Sequence, residues 1–246
     1  MSIKEQISKP AIIYPDSDGK PMADNTLQFE WIAKIKGALE FVFKDQVDVF
    51  VAGDLLWYPV EGNPKERKAP DALVVFGRPK GYRGSYKQWE EANIPPKVVF
   101  EVMSPSHDLE EMLEKHRFYY KYGVEEFYVL DPENSVFWVW TLSEKEPVSF
   151  LHKETKWYSK LLDIRISVDK EGLGLFFPSG DPILSYAQTR EMFEQTREMF
   201  EQTREMFEQT REALEAEKLA KEKALQREQQ ALAEIERLKA ALNKKE

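Results

Sequence analysis

Residues 97–103, Lys97-Val98-Val99-Phe100-Glu101-Val102-Met103, decide the fold class of this chain. A short and nearly continuous apolar run is typical of a strand that is buried on both faces of a sheet. The run is followed by Ser104-Pro105-Ser106-His107-Asp108, which supplies helix breakers and a candidate N-cap. A helix is therefore predicted after these residues, to about Tyr122, with Gly123 as the residue that ends it.

The neighbouring segments extend this strand–helix unit into a mixed sheet. Residues 126–130 and 136–142 predict two strands joined by the turn Asp131-Pro132-Glu133-Asn134. Residues 25–44 carry apolar side chains at three- and four-residue spacing, which predicts an amphipathic helix. The remaining expectations are a hairpin over 47–58 that turns at Gly53-Asp54, a buried strand at 71–76, a loop at 77–96 with a short helix at 86–92, and strands at 148–152, 161–168 and 173–177. The predicted fold class is therefore α/β, an α+β mixed sheet flanked by helices.

The composition limits the classes of protein to which the chain can belong. None of its 246 residues is cysteine, which excludes disulfides, zinc–thiolate sites and thiol nucleophiles. The net charge of -9 counts against nonspecific binding of nucleic acid, so any such contact must be local. No apolar run approaches the roughly 20 residues of a membrane helix, and the N-terminus lacks the pattern of a secretion signal. We therefore expect a cytoplasmic protein that does not enter a membrane.

The chain is predicted to divide into a polar leader at residues 1–21, a globular domain at 22–185 and a heptad helix at 186–246. Residues 191–211 are three identical copies of the heptad Glu-Met-Phe-Glu-Gln-Thr-Arg, and a seven-residue period is typical of coiled coils. Met192 and Thr196 begin a seam that repeats in each copy, with Phe193 beside it. The main prediction is a parallel homodimer or trimer, and the alternative is a solvent-exposed single helix stabilised by Glu–Arg pairs.

Two carboxylates occupy positions where burial in a strand disfavours them. Asp71 opens the apolar run 71–76, and Glu101 interrupts the run 98–102. A charge in such a position is costly unless it is paired or bound to a cation. On neighbouring strands the two could share a Mg²⁺ ion, which prefers oxygen ligands. The alternatives are that Asp71 lies at the solvated start of its strand and that Glu101 pairs with a buried Lys or Arg.

The order of several short motifs resembles a known family. The motifs are Pro70-Asp71, Glu101-Val102-Met103, Ser104-Pro105-Ser106, Lys115 on the following helix, Tyr122-Gly123-Val124-Glu125-Glu126-Phe127-Tyr128, and Asp131-Pro132. Together they resemble the Uma-two family of restriction endonucleases, within the PD-(D/E)XK nuclease superfamily, over about residues 22–170. The resemblance implies a restriction-endonuclease-like fold with the acidic pair on adjacent strands, and metal-dependent hydrolysis of phosphodiester bonds in DNA.

The same resemblance implies a set of site residues. Asp71 and Glu101 would hold Mg²⁺ or Mn²⁺, and the carbonyl of Val102 could complete the shell of the ion. The superfamily has a lysine two positions after the acid, where this chain has Met103, and the resemblance suggests that Lys115 replaces it. The alternatives are that Lys115 is an ordinary solvated lysine, or that Lys121 or Lys97 takes the role.

Other polar residues have open roles. Two basic stretches, at 65–68 and 78–87, flank the strand of Asp71 and are candidates for phosphate contacts or for solvated loops. Asp54 is either a turn residue or a third acid near the site, and His116 is expected in the core. A second functional hypothesis is a noncatalytic module of the same fold that serves as an oligomeric binding or scaffold protein through its coiled coil.

Overall fold

A computed structural model of the chain describes residues 12–19, 21–106, 109–142, 148–150 and 156–242. The predicted N-cap Asp108, the neighbouring His107 and residues 1–11 of the leader lie outside the described residues. The chain divides into two compact units, Met1–Ser185 and Tyr186–Glu246.

The first unit is built on a six-stranded mixed sheet. The described strands are, in chain order, β1 (Val49–Ala52), β2 (Trp57–Tyr58), β3 (Ala72–Phe76), β4 (Tyr86–Lys87), β5 (Val98–Val102), β6 (Glu126–Asp131), β7 (Val136–Thr141), β8 (Val148–Phe150), β9 (Lys156–Ser159), β10 (Ile164–Asp169) and β11 (Gly172–Phe176). The large sheet has the order β1-β3-β5-β6-β7-β8, and β11-β10-β9 form a second, antiparallel sheet. Within the large sheet β5 and β6 are parallel, whereas the other neighbours are antiparallel. The predicted mixed α/β sheet is confirmed.

Helix α1 (Thr26–Val42) covers one face of the large sheet. It begins where the side chain of Asn25 accepts a hydrogen bond from the backbone of Gln28, at 2.8 Å, which satisfies one of the unpaired amides of the first turn. Its apolar residues recur every three or four positions and are buried against the sheet: Trp31, Ile32, Ile35, Ala38 and Leu39. Burial of each large side chain contributes about 1.5–3 kcal/mol, which fixes the helix on the sheet.

Helix α2 (Leu109–Lys121) packs on the opposite face. The helix ends at Lys121, and Gly123 follows with a positive φ of 89°, which suits glycine as the predicted terminating residue. Because side chains alternate along a strand, β3 and β5 contribute to both cores. Ala72, Val74, Val98 and Phe100 belong to the α1 core, while Leu73, Val75 and Val99 belong to the α2 core. The same alternation directs residues 71 and 101 towards α2.

The predicted hairpin over 47–58 is wrong. Strand β1 pairs with β3, and the two-residue β2 pairs in parallel with β4. The chain leaves the sheet after β1, where the amide of Asp54 donates to the carbonyl of Pro70 at 3.1 Å. The short helix expected at 86–92 is β4 followed by one turn of 3-10 helix, Gln88–Glu90, and strand β9 was not predicted.

The second unit is one helix, α3 (Tyr186–Leu242), of 57 residues. At 1.5 Å per residue its length is about 85 Å. The helix includes all three copies of the heptad. None of the helices in the described part of the chain is long and apolar enough to cross a membrane.

Candidate active site

The two predicted carboxylates come together at one end of adjacent strands. Ala72 of β3 pairs with Phe100 of β5 in antiparallel register. Asp71 and Glu101 are the next residues in each direction, so they lie opposite one another just beyond that pair. Both are directed towards α2 by the alternation of the strands.

Asp71 lines a cleft and is held by the backbone of the neighbouring strand. Its Oδ2 accepts a hydrogen bond from the amide of Val102 at 2.6 Å. Burial, and then the negative charge of Glu101, raise the pKa of Asp71 well above its usual range. The amide of Val102 and the charge of Lys115 oppose this shift but do not cancel it. The charge of Glu101 disfavours the ionised form of Asp71, so a cation beside these two side chains would be stabilised.

Glu101 is almost completely buried, with 1% of its surface exposed, and both of its carboxylate oxygens have partners. The ammonium of Lys115 donates to Oε2 at 2.9 Å, and the hydroxyl of Tyr119 donates to Oε1. Burial, followed by the charge of Glu101, raises the pKa of Tyr119 well above its usual range, so this hydroxyl keeps its proton as a donor. A buried carboxylate is tolerated here because each of its oxygens has a hydrogen-bond partner.

The structure places Lys115 in the site. Its side chain is only 12% exposed, and a second carboxylate, Glu111, lies 3.8 Å from the ammonium. Burial alone lowers the pKa of Lys115, but the charge and hydrogen bond of Glu101, with the charge of Asp71, outweigh burial and the net shift is upward. Lys115 is therefore a protonated, partly enclosed cation beside the carboxylates.

The carbonyl of Val102, the predicted third ligand, has a partner that the sequence did not suggest. The side-chain amide of Gln28 donates to this oxygen at 2.8 Å, and its own Oε1 accepts from the amide of Asp24 at 2.8 Å. Gln28 is 3% exposed and lies on the buried stripe of α1. The sequence signal for this role of Gln28 is a polar residue within an apolar stripe, because such a residue needs buried hydrogen-bond partners.

Tyr119 is a site residue to which the sequence assigned no role. Residues four apart lie on one face of a helix, so Lys115 and Tyr119 reach the same carboxylate. The ring of Tyr119 stacks on Trp57, with centroids 6.2 Å apart and planes 4° from parallel. Trp57 is in turn fixed by a 3.1 Å hydrogen bond from its indole to Gln88. The irregular β2–β4 pair thereby supports the helix face that holds Glu101.

An open cleft of about 710 Å³ lies in front of these residues. Asp71 and Lys115 line it together with three basic residues of the first predicted stretch, Lys65, Arg67 and Lys68. Asp54 also lines the cleft, with a positive φ of 48°. Burial, and the charges of Asp18 and Glu101, raise the pKa of Asp54, so it is both a turn residue and an acid near the site.

The second basic stretch has other partners. Arg78 and Arg83 form ion pairs with Glu91 at 2.7 and 2.6 Å, and the ammonium of Lys80 donates to the carbonyl of Phe43 at 2.6 Å. Neither arginine nor Lys80 is among the described residues that line the cleft. The expectation of phosphate contacts therefore applies to residues 65–68 and not to these three.

The alternative lysines and His116 lie elsewhere. Lys97 pairs with Glu125 at 2.7 Å, and Lys121 pairs with Glu66 at 2.9 Å. His116 packs between aromatic rings, 5.3 Å from Trp140 and 6.1 Å from Phe127 by ring centroids. Burial lowers the pKa of His116, but the side chain is only half-buried, so it lies at the margin of the core and not within it as expected. Among the candidate lysines these contacts single out Lys115 as the one beside Glu101.

A metal ion at this site would have few ligands from the protein. Across the described residues, no group of three or more His, Cys, Asp or Glu side chains is close enough to hold an ion. The available donors are the carboxylates of Asp71 and Glu101 and the carbonyl of Val102. Mg²⁺ commonly binds through one or two carboxylates and keeps several waters, so this oxygen-only set fits that ion.

A mixed sheet in which Asp71 and Lys115 line an open cleft, with the buried Glu101 behind them, is an arrangement of nuclease-like folds. Residues 19–169 match the Uma2 family, described as "Putative restriction endonuclease", and the chain belongs to this family. It is also similar to a solved structure entitled "Crystal structure of a putative nuclease belonging to DUF820 from Anabaena variabilis ATCC 29413". That similarity has 15% sequence identity and a TM-score of 0.47, and covers 58% of this chain and 76% of the other. No curated protein matches the chain.

Proposed function

We propose that this protein is a Mg²⁺-dependent endonuclease that hydrolyses phosphodiester bonds of DNA. The observation that carries the proposal is the buried Glu101, paired with Lys115 and placed opposite Asp71 at the edge of an open cleft. A buried, hydrogen-bonded carboxylate is costly to maintain, and a purely structural role does not require it to face a second acid. The family description adds the class of reaction.

Asp71 and Glu101 would hold the metal ion, with Mn²⁺ as a substitute for Mg²⁺. The carbonyl of Val102 can contribute as well, because a carbonyl oxygen has two lone pairs and Gln28 uses one of them. When bound, the ion lowers the pKa of a coordinated water and offsets negative charge on the phosphate. Burial and the charge of Glu101 raise the pKa of Asp71, and a bound cation would oppose both effects and favour its ionised form.

Lys115 would act on the phosphate as a fixed positive charge. Its upward pKa shift keeps it protonated, and its low exposure keeps solvent from screening it. The lysine thus supplies from α2 the function that Met103 cannot perform.

The basic side of the cleft would position the DNA backbone. Lys65, Arg67 and Lys68 lie along the same opening as Asp71, so phosphates bound there would place a strand across the acids. The protein has a net charge of -9, and this local cluster is therefore the part that would attract DNA.

Plasmid nicking tests the proposal. Supercoiled plasmid is incubated with Mg²⁺ or Mn²⁺ and with wild type, Asp71→Asn or Glu101→Gln. Each variant is expected to lose about 100-fold or more of the activity, because it removes one ligand charge. Glu171→Gln, a change in an exposed turn, is the matched control and keeps full activity.

Calorimetric titration with Mg²⁺ separates the proposal from the noncatalytic alternative. A nuclease binds the ion in wild type and more weakly in Asp71→Asn, whereas an inactive module of the same fold neither binds it at this site nor cuts. Nicking that both substitutions leave unchanged, in folded variants, comes from a contaminant and removes the nuclease assignment.

A further inference from the structure

The heptad repeat gives α3 an exposed apolar stripe. Phe193, Phe200 and Phe207 are 74%, 69% and 69% exposed, although phenylalanine is normally among the more buried residues. The methionine before each phenylalanine is also more than half exposed, as is expected of one continuous surface: Met192, Met199 and Met206. A contiguous apolar surface of this kind marks an interaction site.

The threonines of the repeat do not interrupt this stripe. The hydroxyls of Thr196, Thr203 and Thr210 each donate to the carbonyl four residues earlier, at 2.8 Å. Their donors are therefore satisfied within the helix, and the γ-methyl groups remain for packing. On a helix of seven-residue period, Met, Thr and Phe of each copy occupy adjacent columns, which form a stripe about 100° wide.

The period of the stripe identifies the kind of surface that can cover it. The column of Phe193 continues through Phe200, Phe207 and Leu214 at seven-residue steps. A strict seven-residue repeat matches a helix with the same repeat, wound around it. Further along, the charged Lys221 occupies the same column, so the apolar seam covers residues 192–214.

A second copy of this chain supplies such a helix. Seven apolar side chains of the seam would bury on the order of 500 Å² per chain, or about 1,000 Å² in total, which reaches the lower range of specific interfaces. Arg197, Arg204 and their repeats form the column next to phenylalanine on the far side from methionine. An antiparallel pair would place the arginine columns of the two helices against each other, where like charges repel. A parallel pair places arginine against methionine and is therefore favoured.

We propose that two copies of the protein associate in parallel through residues 192–214 of α3. Phenylalanine, and not methionine as predicted, joins threonine at the centre of the seam, and methionine lies at its edge. This proposal goes beyond the nuclease function and does not depend on it.

Sedimentation equilibrium of the full chain tests the association. The wild type is expected at twice the chain mass of 28.8 kDa. Phe200→Asp combined with Phe207→Asp should sediment as one chain, because it places like charges within the seam. Glu198→Ala combined with Glu205→Ala, on the opposite side of the helix, is the control and stays paired. Circular dichroism shows whether each variant keeps its helix.

A single introduced cysteine tests the orientation, since the chain contains none. Thr196→Cys should form a disulfide-linked pair under mild oxidation, because parallel helices place residue 196 opposite its counterpart. Glu198→Cys faces away from the seam and should not. Cross-linking of Thr196→Cys no greater than that of Glu198→Cys overturns the parallel arrangement. A wild-type mass of one chain overturns the association, and a mass of three chains overturns the two-chain form.

Discussion

At the scale of single residues, the candidate site is defined by how Glu101 is paired. Lys115 and Tyr119 each satisfy one carboxylate oxygen, and both come from the same face of α2. Without either partner, part of a nearly inaccessible carboxylate would face an apolar core. Stability therefore depends on these two side chains, and under the proposed function metal binding depends on them as well.

The first residue-scale prediction concerns the ion pair. Lys115→Met removes the buried positive charge and should lower the free energy of unfolding by about 3–5 kcal/mol, since an unpaired buried carboxylate remains. Adding Glu101→Gln should recover much of this loss, because the uncompensated charge is gone. Urea denaturation of the two single variants and the double variant measures the coupling. Additive losses would mean that the two side chains do not stabilise each other.

The second residue-scale prediction concerns the Tyr119 hydroxyl. Tyr119→Phe keeps the stacked ring but removes the donor to Glu101, so we expect a loss of about 1–3 kcal/mol in stability. If the nuclease proposal holds, Mg²⁺ affinity should also fall by about 10- to 100-fold, as for other residues that orient metal ligands. Tyr158→Phe is the control, since its hydroxyl donates to Asp163 on the surface. Calorimetry with an unchanged Mg²⁺ affinity for Tyr119→Phe would assign this hydroxyl to stability alone.

At the scale of elements, regular patterns were predicted and tertiary contacts were not. The buried strands β3 and β5 followed from apolar runs, α1 from its spacing, and the acidic pair from interruptions in those runs. The two-residue strands β2 and β4 have no period of their own, and they form because Trp57 and Tyr86 are buried by other elements. The roles of Gln28 and Tyr119 depend on where two helices dock on the sheet, which local sequence does not determine.

An element-scale prediction concerns the loop between β3 and β5, where Glu91 pairs with Arg78 and Arg83. The hydrogen bond from Arg83 lowers the pKa of Glu91. Burial raises this pKa by less, and the hydrogen bond from Arg78 lowers it further. A lowered folded-state pKa means that the stabilisation is present above the unfolded pKa and is lost as pH falls through the folded value. Glu91→Gln should thus be less stable than wild type by about 1–3 kcal/mol at neutral pH.

The pH dependence provides the check on this loop. The difference in free energy of unfolding between wild type and Glu91→Gln should shrink steadily as the solution is acidified below the ordinary pKa of a glutamate. Denaturation series at neutral and acidic pH measure it, with Glu171→Gln as the exposed control. A difference in free energy that stays constant over this pH range would show that the charge of Glu91 does not stabilise the loop.

At the scale of the whole molecule, the two proposals combine into a statement about products. A nuclease site cuts one strand, so two sites held in one parallel pair can cut both strands of a duplex before release. We therefore expect wild type to convert supercoiled plasmid to linear DNA with little nicked intermediate. Phe200→Asp with Phe207→Asp leaves Asp71, Glu101 and Lys115 intact, and should accumulate nicked circles at a similar initial rate of first cuts.

A time course on agarose gels distinguishes these outcomes, with Glu198→Ala combined with Glu205→Ala as the control that retains the seam. Adding more of the phenylalanine variant should raise the nicking rate in proportion to its concentration, because each chain then acts alone. If the phenylalanine variant gives the same ratio of linear to nicked product as wild type, pairing does not coordinate the two cuts. The association through α3 would then serve some purpose other than coordinating two cuts, since a single unpaired site would suffice for the products observed.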